Sequence, residues 1–210
     1  MLLCLAASPA SAQAPRRLVP VDEAGSDPSF ASFRQGLREI VRRRDLPALL
    51  KIVSHDVRGT GGSDGIEEFK MSWNVESADS PLWPTLQRIL ALGGTFAARN
   101  GIHEFDAPYV ASRWPEDLEP GDYVAITGPR VLVRTPGPRS SAILAALSYA
   151  IVRRGAESGE PKAGVPFPIV LPDGRTGVVD GMFVWSPLDY RAGFRKTPEG
   201  WRLIHILTGE

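Results

Sequence analysis

Apolar residues first fall into step at Phe30, Phe33, Leu37, Ile40 and Val41, the three- and four-residue spacing of one helix face. The basic run Arg42-Arg43-Arg44 closes this helix, where cations complement the negative end of the backbone dipole. Asp45 is placed to cap a second helix, with Pro47 in its first turn and Leu46, Leu49, Leu50 and Val53 turned inward. A short strand is expected over His55 to Thr60, next to the glycine cluster Gly59, Gly61, Gly62 and Gly65. Asp64 and Glu67 have the spacing of a capping box for a short helix burying Ile66, Phe69 and Trp73. Ser80-Pro81 opens a further helix with Leu82, Leu86, Ile89 and Leu90 on one side, and Gly93-Gly94 ends it. Up to Gly94 the pattern is helical, with a single strand.

Near residue 120 the period shortens. Short strand-like runs centre on Val124, Leu132, Ile151, Val170 and Val178, separated by Gly/Pro turns, as in a small barrel or sandwich. Pro172-Asp173-Gly174 is a hairpin turn, because proline fixes φ and glycine permits positive φ. Residues 155–166 form a Gly/Pro/charged loop, and Thr197-Pro198-Glu199-Gly200 joins Tyr190–Lys196 to Trp201–Leu207 as a last hairpin. The fold class is therefore α+β: a helical α+β domain over 29–110, a small all-β barrel over 119–187, and a C-terminal hairpin.

In that hairpin Arg191, Gly193 and Arg195 alternate with Tyr190, Ala192 and Phe194, and Trp201, Leu203 and His205 alternate with Arg202, Ile204 and Ile206. Two isolated strands are marginal at best, so the apolar face needs a cover. The first helices equally need a sheet. Residues 189–208 are predicted to pair with the strand near His55 to Arg58 and to pack on the helices bearing Phe33, Leu37 and Leu49.

The 24 basic and 24 acidic side chains cancel, which argues against a dedicated nucleic-acid binder. A hydrophobic content of 43% supports a packed core despite 21 glycines and 19 prolines. The opening MLLCLAASPASAQAP reads as the end of a secretory signal peptide, residues 1–12, cleaved after Ala12 to leave a mature chain beginning near Gln13. This implies a periplasmic or secreted protein, with residues 13–28 as a flexible lead-in. Cys4 is the one cysteine, so the mature chain would carry no disulfide, thiol nucleophile or thiolate ligand. No run is long and apolar enough for an integral membrane segment in the mature chain.

Residues 119–187 resemble a bacterial Src-homology-3-like (SH3b) domain. The resemblance rests on Val124-Ala125-Ile126-Thr127-Gly128, Val131-Leu132-Val133-Arg134-Thr135-Pro136, and above all Leu171-Pro172-Asp173-Gly174-Arg175-Thr176-Gly177-Val178-Val179. Val178 stands where the family usually has Trp, and Phe167 where it often has another, so the aromatic groove of that family is reduced. The rest of the chain resembles the nuclear-transport-factor-2-like (SnoaL-type) α+β cone. Arg44-Asp45-Leu46-Pro47-Ala48-Leu49-Leu50 leading to His55-Asp56-Val57-Arg58 looks like its entry, and Tyr190–Phe194 with Gly200–Leu203 like its closing strands. That resemblance implies a barrel inserted into the first domain.

Gly61-Gly62-Ser63-Asp64-Gly65 matches G-x-S-x-G, and Asp180 or Asp189 and then His205 follow in the order of an α/β-hydrolase triad. That motif needs a sharp turn between a buried strand and a helix, whereas glycines and Thr60 precede Ser63 and repeated strand–helix units are missing. The stretch is read as a capping loop. His55, His103 and His205 lack zinc-helix spacing, and Glu67-Glu68 and Glu116-Asp117 read as solvated pairs, so no catalytic residue, metal or cofactor is assigned. Trp73 and Trp83 have core spacing. The ligand-binding candidates are Tyr109, Trp114, Tyr123, Phe167, Trp185 and Tyr190, aromatics placed in the barrel or near the domain junction, where pockets favour forming. The expectation is an exported, non-enzymatic recognition module for a cell-wall peptide or glycan or an envelope protein; the alternatives are a small-molecule-binding cone and a serine hydrolase using Ser63.

Overall fold

A computed structural model describes residues 15–62, 64–99, 101–137 and 142–209. Helix α1, Pro28–Arg43, starts where the Asp27 carboxylate accepts from the amides of Ser29 and Phe30, and ends with Arg44 in the left-handed region. Asp45 accepts from the Ala48 amide to start α2, Leu46–Ile52, which runs directly into strand β1, Val53–Arg58. Helices α3, Ile66–Ser72, and α4, Leu82–Ala91, follow. At α3 the capping box does not form: Gly65 is the N-cap, with no side-chain cap, and Asp64 makes an isolated bridge to Arg58 instead.

Two strands and a short helix then appear where no regular element was expected: β2, Thr95–Arg99; β3, Ile102–Ala107; and α5, Tyr109–Ser112. Gly101 between the strands has φ +76°, which glycine adopts without steric cost. Its sequence signal is the dipeptide Asn100-Gly101, a strong hairpin marker.

The strands β4, Tyr123–Ile126; β5, Val131–Arg134; β6, Ile143–Leu147; β7, Ile151–Arg154; β8, Pro166–Val170; β9, Thr176–Asp180; and β10, Val184–Trp185 form one antiparallel sheet ordered β10-β4-β7-β8-β9-β5-β6. It encloses its own core, built on Ile126, Val133, Phe167, Ile169 and Val184. The 171–174 turn closes with the Gly174 amide donating to Leu171 O at 2.9 Å.

The last hairpin, β11 (Arg191–Thr197) and β12 (Gly200–Leu207), joins the first sheet, whose order is β1-β12-β11-β3-β2. Val53 pairs with Leu203 and Arg58 with His205 in parallel, so the C-terminal strand lies beside β1 as the hairpin's pattern required. One face of this sheet receives the helices through an aromatic cluster. Phe30 sits 4.2 Å from Phe105 and 4.7 Å from Trp201, and Phe33 sits 5.8 Å from Phe194, ring centre to ring centre. Leu37, Leu49, Leu86 and Ile89 fill the rest, so the space between helices and sheet is packed core.

Of the stretch 13–28, expected as a flexible lead-in, the described residues 15–27 are instead held by backbone contacts, and Pro28 already begins α1. The Leu18 amide donates to Tyr149 O and the Ile151 amide to Arg16 O, both at 2.7 Å, while Glu23 accepts from the Phe96 amide at 2.8 Å. Ala125, Ile151 and Trp185 of the second sheet enter the first core, and Arg88 donates to Val184 O at 2.9 Å while lying 4.7 Å over the Trp185 ring.

Candidate functional site

A pocket of about 470 Å³ opens on the other face of the first sheet, away from the aromatic cluster. Strand alternation sends side chains to it from four neighbouring strands. In β11, Ala192 and Phe194 are buried in the core while Arg191 and Arg195 line the pocket; in β3, Phe105 and Ala107 are core residues while Glu104 and Asp106 line it. Arg58 comes from the end of β1, His205 from β12, and Ser112 from α5.

The sequence alternation groups His205 with Trp201 and Leu203. The structure separates His205 from the other two. Gly193 pairs with His205, but the next residue, Phe194, pairs with Leu203, so Ile204 is an extra residue in β12. This bulge lets Trp201, Leu203 and Ile206 all reach the core and turns His205 toward the pocket. Gly193 supplies the room, because a Cβ there would lie 2.1 Å from His205 Cε1 and 2.5 Å from Nε2. The imidazole therefore lies against the bare backbone of β11.

His205 is only 8% exposed. Burial is the main reason that its pKa is pulled down to about 4; Asp106 and Glu104 oppose the fall, while Arg58 and Arg191 deepen it. Its ring is neutral at physiological pH. Neither His205 Nδ1 nor Ser112 Oγ, both buried, has a hydrogen-bond partner among the described residues. A buried polar atom left without a partner costs about 1–3 kcal/mol, and two such atoms belong to residues of this one pocket. Glu104, itself buried, receives two charge-assisted contacts from Arg195 at 2.8 Å, which hold the floor of the pocket in place.

The six aromatic candidates do not converge. Phe167 is a core residue of the second sheet and Tyr109 a core residue of the first, so neither presents a surface to a ligand. Burial also pushes the Tyr109 hydroxyl up to about 12. Trp114 is half-buried and donates its indole N–H to Leu118 O at 3.0 Å. Tyr123 lines a separate surface groove with Leu171 and Pro172. Trp185 and Tyr190 share a pocket of about 240 Å³ at the junction with Arg88 and Asp189. There burial raises the Asp189 carboxyl and lowers the Arg88 guanidinium, the Trp185 indole nitrogen lacks a partner among the described residues, and Tyr190 packs 5.0 Å from Trp73.

Ser63 and the segment 1–12 with Cys4 lie outside the described residues. His103 stacks on Phe96 at 4.6 Å on the helix side of the sheet, opposite His205, and His55 is exposed. Among the described residues no three His, Cys, Asp or Glu side chains gather as a metal site. The residues that sequence reasoning missed are those of the sheet-face pocket, and the available signal was the glycine between two arginines in an otherwise apolar strand, Arg191-Ala192-Gly193-Phe194-Arg195. No known protein family, curated protein or solved structure matches the chain.

Proposed function

We propose that this chain is a non-enzymatic binding module of the bacterial envelope, and that its ligand is a small molecule or chain end seated in the polar pocket on the open face of the first sheet. The observation that carries this reading is His205, turned by a bulge into a pocket where its Nδ1 and Ser112 Oγ are both buried without partners among the described residues. The volume falls within the range of small-ligand sites. The signal-like Leu2–Ala12 segment supports the envelope location, and the second sheet is read as an SH3-like barrel docked on a cone-like domain.

The test is equilibrium dialysis of the protein against a small-molecule extract, with retained compounds identified by mass spectrometry. The wild type retains a compound that Ala111→Phe, which fills the pocket, does not. Equal retention by both proteins, or none by either, contradicts the reading.

A second reading, recognition of a cell-wall peptide, glycan or envelope protein, is favoured by the junction pocket, where the buried Trp185 indole N–H lacks a partner among the described residues beside the exposed Tyr190. A pull-down from envelope extract decides it: capture lost in Tyr190→Ala but kept in Ala111→Phe supports the junction, and capture indifferent to Tyr190→Ala removes it.

A further inference from the structure

The sheet-face pocket sorts its lining by chemistry. Arg195 and Glu104 satisfy each other at 2.8 Å. The other formal charges are Arg58 and Arg191 against Asp106, an excess of one positive charge. Neither Arg58 nor Arg191 has an ion pair among the described residues, although Arg191 Nη1 donates to Gly209 O at 2.7 Å. A guanidinium has five N–H donors, so Arg191 keeps most of its capacity. Beside these groups lies a small apolar area from Ala111 and Leu207.

We infer that the pocket takes a small organic anion carrying one carboxylate, held by Arg58 and Arg191, with its apolar body against Ala111 and Leu207. This rests on the reading of the pocket as the ligand site. Three arguments select that class. A planar carboxylate matches the fork of a guanidinium and gains charge-assisted hydrogen bonds from it. A dianion exceeds the single positive excess and meets Asp106, and a cation faces two arginines. A wholly neutral ligand would cover both guanidinium groups without pairing them, which is costly. Ser112 Oγ and the neutral His205 ring supply the polar contacts that place the remaining atoms.

The experiment titrates the full chain with benzoate, benzyl alcohol, benzylamine and inorganic phosphate, reading affinity by calorimetry and contact by the NMR signals of the His205 ring. Benzoate should bind at least about tenfold more tightly than the neutral or cationic probe and move the His205 signals. Arg58→Gln and Arg191→Gln should each weaken benzoate by about tenfold or more, whereas Arg202→Gln, outside the pocket, should not. Phosphate binding more tightly than benzoate overturns the single-carboxylate inference. Benzyl alcohol or benzylamine matching benzoate while moving His205 also overturns it, but leaves the pocket as the site. If no probe moves His205 and dialysis retains no compound, the inference and the reading beneath it both fall.

Discussion

His205 ties the candidate site to stability through its titration. The native fold holds the imidazole neutral because burial depresses its pKa to about 4, while the unfolded chain takes up the proton near the ordinary 6.5. The sign follows from linkage. The contribution is complete above pH 6.5, declines as the unfolded state is protonated, and levels off below pH 4, where both states carry the proton. At about 1.4 kcal/mol per pKa unit the whole difference is about 3 kcal/mol, of which about 2 is gone by pH 5. Against a typical stability of about 5–15 kcal/mol that is a large loss. The carboxylates held below their usual range by hydrogen bonds, Asp27 and Asp56 among them, lose their contributions at lower pH, below about 4.5. Urea unfolding followed by tryptophan fluorescence at pH 7.5, 6.0 and 5.0 measures the effect in wild type and in His205→Gln. The difference between the two proteins should shrink by about 2 kcal/mol from pH 7.5 to 5.0. Parallel profiles, or an NMR midpoint for His205 above 6, refute the reasoning.

Gly193→Ala should destabilise the fold by about 1–3 kcal/mol, because its Cβ collides with the His205 ring, and the double variant with His205→Ala should recover much of this in a denaturation cycle. Deleting residues 189–210 removes the two strands that lie between β1 and β3, so the helical part should lose cooperative unfolding; an N-terminal fragment 26–110 that melts cooperatively alone contradicts this. Arg88→Ala should cost about 1–2 kcal/mol through the lost Val184 hydrogen bond and the contact with Trp185, and should speed amide exchange at the junction; unchanged stability and exchange count against the junction described.

Much of this architecture is legible in the chain because burial imposes its period on the residues. The steps from Phe30 to Val41 and the alternation about Phe194 mark faces that must meet, and they predicted the return of the last hairpin to β1. The strands β2 and β3 escape such reading because Thr95–Arg99 and Ile102–Ala107 hold no run of β-branched residues. The site was hidden for a sharper reason. Strict alternation cannot register the extra residue Ile204, so it groups His205 with Trp201 and Leu203 although the bulge sends them to opposite faces. Residues 15–27 looked mobile by composition, yet their backbone pairs with Tyr149, Ile151 and Gly94, contacts that only the folded chain brings within reach.

Fragment soaking followed by a crystal structure shows whether the sheet-face pocket is where a ligand sits. A carboxylate fragment is expected within hydrogen-bonding distance of Arg58 or Arg191, with a polar atom on His205 Nδ1 or Ser112 Oγ. Fragments bound at the Trp185–Tyr190 junction, with only water on the face of Arg191 and His205, would contradict it.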